Sequence, residues 1–125
     1  MPSEGLHRDR ATDLGVVRIN NDVIAAIASI AAMEVKGVNR MGGNLGASLY
    51  DMISKKTATK GVRVKRANGD VKLAVSIIVD YGVDISRIGD EVQERVKHSI
   101  EKMTGLALSE VDVIVEGVSE KTVKI

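Results

Sequence analysis

Few residues could carry proton or nucleophile chemistry, and their spacing is poor for it. There are two histidines, His7 and His98. His7 stands among charged neighbours near the N-terminus. His98 falls in a helical pattern with Glu94 and Glu101 at i−4 and i+3, an arrangement suited to a solvated ion pair rather than a poised base. Ser99 follows His98 directly, so it projects from a different helix face, which is bad geometry for a Ser–His nucleophile. The glycines of GGNLG, Gly42 to Gly46, invite a phosphate-loop reading. They lack both the Gly-Lys-Ser/Thr ending and the dinucleotide spacing, so a turn is the expectation. Carboxylates are plentiful, but none sits in a pattern that would separate two pKa values in a cleft. Cysteine is absent, which removes thiol catalysis, disulfides, iron–sulfur clusters and cysteine-based zinc sites and is compatible with a reducing cytoplasm. The residues therefore support no enzyme, no metal and no cofactor.

What the chain does carry is segregated charge. The formal net charge is +1, yet residues 1–79 hold 12 Lys/Arg against 7 Asp/Glu and residues 80–125 hold 6 against 10. The basic part peaks at Lys55, Lys56, Lys60, Arg63, Lys65 and Arg66, with no acid between Met52 and Gly69. Such a run is either a solvated face or a docking patch for an acidic surface. Use of the same stretch 55–66 by a nucleic-acid-binding module is the alternative. Against it stand the absence of Trp and Phe, which leaves Tyr50 and Tyr81 as the only rings for base stacking, and the acidic second half, which repels phosphate.

These residues must be positioned by elements that the hydrophobic pattern outlines. A chain of 125 residues with 44% hydrophobic and 28% charged residues can bury a core of its own as one domain. Residues 1–14 read as a polar tail without the apolar run of a signal peptide, and residues 119–125 as a short C-terminal tail. The longest apolar stretch, Val23 to Met33, is too short to span a bilayer. Gly15 to Ile19 is a strand candidate. Asn20, Asn21 and Asp22 offer N-caps to a helix with Val23, Ile24, Ile27, Ile30 and Ala31 at helical spacing, which Gly37 can end. Its alanines permit close packing. Val38 to Met41 is a second short strand, and Leu45, Leu49, Met52 and Ile53 fit a short amphipathic helix or a loop. Alternating residues on both sides of Asn68-Gly69 predict a β-hairpin, because both turn residues tolerate positive φ. Asp84 or Ser86 caps a second helix with Ile88, Val92, Val96, Ile100 and Met103 along one stripe and Gly105 as its stop. Val111, Val113 and Val115 alternate in a last strand.

This order predicts an α+β domain with two layers, a mainly antiparallel sheet of three to four strands carrying two main helices on one face. If Val71, Leu73, Val75, Ile77 and Val79 meet the helices along with Val111, Val113 and Val115, then Ala74, Ile78, Ile114 and Val118 point to the other face, where they are either ordinary scattered surface hydrophobics or a self-association surface that makes the protein a homo-oligomer.

Several words of the sequence, in order, are GVVRI from Gly15, DVIA from Asp22, AAMEVKGV from Ala31, KGVRV from Lys60, YGVDI from Tyr81, EVQERVK from Glu91, MTGL from Met103 and VDV from Val111. In this order and spacing they resemble the alkaline shock protein family of Gram-positive-type bacteria, over nearly all of residues 15–118. The resemblance implies a small cytoplasmic protein of the general and cell-envelope stress response, without catalytic or cofactor residues, acting as an adaptor or scaffold through protein partners. It also implies a peripheral position at the inner face of the cell membrane where a separate membrane-embedded anchor protein is used. Relatives are associated with control of lipid metabolism, so a regulator of lipid-metabolism enzymes is a further alternative. The short polar end after Val118, without a long charged tail, departs from the family pattern.

Overall fold

A computed structural model describes residues 10–43 and 61–120. The elements run β1 (Arg10–Thr12), β2 (Gly15–Val17), α1 (Asn21–Met33), β3 (Val38–Met41), β4 (Val62–Ala67), β5 (Asp70–Asp80), α2 (Ile85–Thr104) and β6 (Leu108–Ser119). Arg10–Thr12, grouped with the N-terminal tail by composition, pair with Gly15–Val17 in a small antiparallel hairpin. The amphipathic pattern at Leu45 to Ile53 lies outside the described residues.

The main sheet is organised around β5. Antiparallel β4 leads into it through the expected tight turn, with Asn68 at φ 52° and Gly69 at φ 85°, the signature of a type I′ hairpin. β3 pairs with the far end of the same edge, Val38 opposite Val79 and Met41 opposite Ile77. β3 and β4 therefore lie end to end along one side of β5. β6 covers the other side in parallel, from Val71 opposite Leu108 to Asp80 opposite Ser119. A parallel neighbour needs the chain carried back to its start, and α2, at 20 residues, spans about 30 Å.

Alternation sets the faces. Val71, Leu73, Val75, Ile77 and Val79 are all buried against the helices. On α2 the stripe Ile88, Val92, Val96 and Ile100 has no exposure at all, while Met103, one turn on, is 68% exposed. The stripe ceases to be covered before the helix ends. α2 is bounded as its sequence implies: the Asp84 carboxylate accepts from the Arg87 N–H, and Gly105 is left-handed at φ 79°. α1 packs through Ile24, Ala25, Ile27, Ala28, Ala31 and Ala32. Val23 and Ile30, expected on the same stripe, are 47% and 63% exposed, since at 100° per residue both fall away from the side that Ile24 and Ala28 share. Nor does Gly37 end α1. The helix stops at Met33 with Glu34 as a right-handed cap, and Gly37 at φ 106° serves the turn into β3. A Cβ there would stand 2.6 Å from Ile88 Cδ1, so its absence lets the turn lie directly on α2.

Candidate interaction surface

No helix packs on the second face of the sheet among the described residues; both helices contribute to the core on the first. The strand registers assemble this open face row by row. Lys65, Lys72 and Glu110 lie abreast, followed by Arg63, Ala74 and Asp112, and then by Ser76 and Ile114. Arg40 pairs with Ile78 at the far end. The β4 side of the face is thus basic and the β6 side acidic, separated by the β5 side chains Lys72, Ala74, Ser76 and Ile78. One cross-strand ion pair bridges the two signs, Lys72 Nζ to Glu110 Oε1 at 4.0 Å. Both partners are half-exposed, so its contribution to stability is small.

Two of the three strands beside β5 change register at Ile78. In β3 the shift falls between Val38 and Arg40, and in β6 between Val115 and Gly117. The extra residue in β6 is Glu116, which as a β-bulge re-aims the side chains that follow. Glu116 reaches across the open face, and its Oε1 accepts the Gly43 N–H at 2.7 Å. A Cβ on Gly42 would meet that same oxygen at 2.6 Å, so glycine there is what admits the carboxylate. The ladder is continuous behind it: Gly42 N–H donates to Ser76 O at 2.9 Å, and Ser76 N–H donates to Gly61 O at 2.7 Å. Gly42 and Gly61 thus satisfy both backbone groups of Ser76, and Glu116 holds the adjoining Gly43 from the opposite edge.

The sequence-selected residues distribute unevenly over this surface. Lys55, Lys56 and Lys60 lie outside the described residues. Arg63 and Lys65 are exposed and share the open face with Ala74 and Lys72. Arg66 has the opposite parity, pairs with Val71, and its Nη2 donates to Ile19 O at 2.9 Å. It helps to line an open cleft of about 470 Å³ at the start of α1, with Arg18, Asn20 and Asp22. Ala74, Ile78 and Ile114 lie on the open face, but Ile78 is only 6% exposed, so Ile114 is the large apolar side chain that these three offer to solvent there. Val118 does not: the bulge places it beside Val79, on the helix side. Glu116 drew no attention in the sequence, where it reads as one more solvent-facing acid in an alternating strand. The pair Glu116-Gly117, breaking the alternation of valines, was the available signal.

His98 gains no catalytic setting. The carboxylate of Glu101 is engaged elsewhere, accepting from Lys97 Nζ at 2.8 Å and from the Leu108 N–H at 2.9 Å. These two donors, Lys97 first, hold the Glu101 pKa below the ordinary carboxylate range. No group of three or more His, Cys, Asp or Glu among the described residues is placed to hold a metal ion, and no described helix is long and apolar enough to cross a membrane.

The family model for alkaline shock protein 23, described as having a cell envelope-related function, matches residues 9–120. The chain belongs to the alkaline shock protein family. Its relatives in Bacillus subtilis include the uncharacterized protein YqhY, 35% identical over 116 residues, covering 93% of this chain and 84% of that one. A second, the uncharacterized protein YloU, is 32% identical over 109 residues, 86% of this chain and 91% of the relative. A Streptococcus pyogenes protein named as a stress response regulator gls24 homolog is 26% identical over 108 residues, 86% of this chain and 60% of the longer relative. Among solved structures, the MamM-CTD domain superposes at TM-score 0.48 with 15% identity, over 78% of this chain and 98% of that one. The alkaline shock protein match spans both helices and every strand of the main sheet, so the open face belongs to the family domain.

Proposed function

We propose that this alkaline shock family chain is a non-enzymatic adaptor or scaffold of the cell-envelope stress response, acting through protein–protein contacts and self-association. The observation that supports this reading is the open sheet face, whose opposite charges lie in separate rows on either side of β5. A catalytic site needs groups that converge in a cavity; here the charges are laid out side by side along the strands. Its basic side, Arg63 and Lys65, continues the run that begins at Lys55, Lys56 and Lys60, and together they suit an acidic surface on a partner protein. Membrane association in this reading comes through a membrane-embedded anchor protein, with the chain on the cytoplasmic side. Nucleic acid fits less well, since the acidic β6 row lies two strand spacings away, about 10 Å, and would oppose a phosphate backbone.

The test is the charge-reversed triple variant Lys55→Glu, Lys56→Glu, Lys60→Glu. It should melt like the wild type, while salt-sensitive partner capture and recovery in the membrane fraction fall together. Retention of both at wild-type levels would reduce the basic stretch to a solvated loop. Self-association is read separately, from the concentration dependence of particle mass in light scattering.

A further inference from the structure

We propose that two copies of this chain pack open face to open face about a two-fold axis that lies in the interface, directly over β5 and roughly parallel to it. This deepens the self-association reading and rests on it. The argument is one of charge placement. Rotation by 180° about an axis along β5 exchanges left and right, so the basic β4 row of one copy is carried over the acidic β6 row of the other. Each row keeps its height along the strand. Arg63 then faces Asp112 of the second copy, and Lys65 faces Glu110, with both pairs formed twice because an isologous contact is reciprocal.

The other two-fold axis available to facing sheets, across the strands, returns each row to its own side. It would stack basic on basic and acidic on acidic, which is disfavoured. The axis along β5 brings Lys72 near its own copy, a like-charge contact moderated within each chain by Glu110. Beyond Lys72 the axis passes over Ala74, Ser76 and Ile78, the first two small and the third only 6% exposed; the closest approach, at the usual ~10 Å between sheets, falls at Ala74, and Glu116, held down on Gly43, lies on the face beyond it. Ile114, 41% exposed in the single chain, becomes covered. Pairing β6 edge to edge with a second β6 is the competing arrangement, and it sets the acids of one strand beside those of the other.

The test uses two variants of the full chain, one with Arg63→Glu and Lys65→Glu, the other with Glu110→Lys and Asp112→Lys. Each alone should self-associate at least about tenfold more weakly in sedimentation velocity, given four reversed contacts per dimer. A 1:1 mixture should restore wild-type association, because the altered row of each then meets its complement. The axis is fixed by a second arm, which needs no charge reversal and benefits from the absence of cysteine. With a short thiol–thiol crosslinker, Arg63→Cys mixed with Asp112→Cys should give a mixed dimer, and Arg63→Cys alone should not. Crosslinking of position 63 to itself overturns the proposed axis. If the wild type associates and both charge variants associate equally well, this geometry is wrong and self-association stands. A wild type that stays monomeric at high concentration removes both.

Discussion

The close approach of Gly37 to α2 gives a sharp quantitative expectation. Gly37→Ala places a methyl 2.6 Å from Ile88 Cδ1, 3.2 Å from Ile88 Cγ1 and 3.4 Å from Val83 Cγ1. Ile88 is fully buried, so it cannot swing into solvent, and overpacking of this kind costs about 1–2 kcal/mol. The backbone at φ 106° adds a conformational cost of about 1–2 kcal/mol for any L side chain. Together they come to about 2–4 kcal/mol. With an unfolding entropy of ~2.1 cal/mol/K per residue, a chain of 125 residues loses about 4 °C of Tm per kcal/mol, hence about 8–16 °C in a calorimetric melt. The two components separate in a double-mutant cycle. Ile88→Val removes the clashing Cδ1 and alone costs about 1 kcal/mol, but combined with Gly37→Ala it should cost less than the sum by about 1 kcal/mol. A Tm loss under about 3 °C for Gly37→Ala, or strict additivity in the cycle, would show that the turn does not rest on Ile88.

Gly69→Val meets no atom within 4 Å but must hold φ 85°, so it should lower Tm by about 4–8 °C through backbone strain alone. Asp84→Ala removes the side-chain cap of α2 and should cost about 1 kcal/mol in denaturant unfolding, with an unchanged m-value. Glu101 gives a pH signature. Its pKa is lowered in the folded state by Lys97 and the Leu108 N–H, so the stability it contributes is complete above the unfolded carboxylate pKa and is lost as pH falls through the folded one. Glu101→Gln should therefore melt below the wild type at neutral pH, with the gap closing in acid; a gap constant from about pH 7 to about pH 3 would exclude the linkage.

What could be read from the chain is what repeats locally. The hairpin at Asn68-Gly69 and the stop of α2 at Gly105 depend on neighbours within about four residues and stand where the sequence puts them; the cap is Asp84, one of the two candidates with Ser86. Two-residue alternation also assigned Ala74, Ile78 and Ile114 to one face. The same alternation misplaced Val118, because it assumes an unbroken strand, and the bulge at Glu116 turns one residue's difference into a change of face. α1 was harder for a different reason. Its residues from Val23 to Met33 are uncharged on every side, so spacing alone could not say which apolar residues are buried. The hold of Glu116 on Gly43 joins residues 73 positions apart, and no local pattern encodes such a pair.

The bonds at Ser76 make one residue of β5 the meeting point of three strands. Gly42 and Gly61 satisfy its two backbone groups, so β3 and β4, end to end along one side of β5, leave no unpaired step in the ladder between them. Glu116 ties β6, on the opposite side, to the same junction through the Gly43 N–H. Two strands far apart in sequence thus behave along β5 as one continuous edge, and a load applied to that edge passes Ser76 without a break.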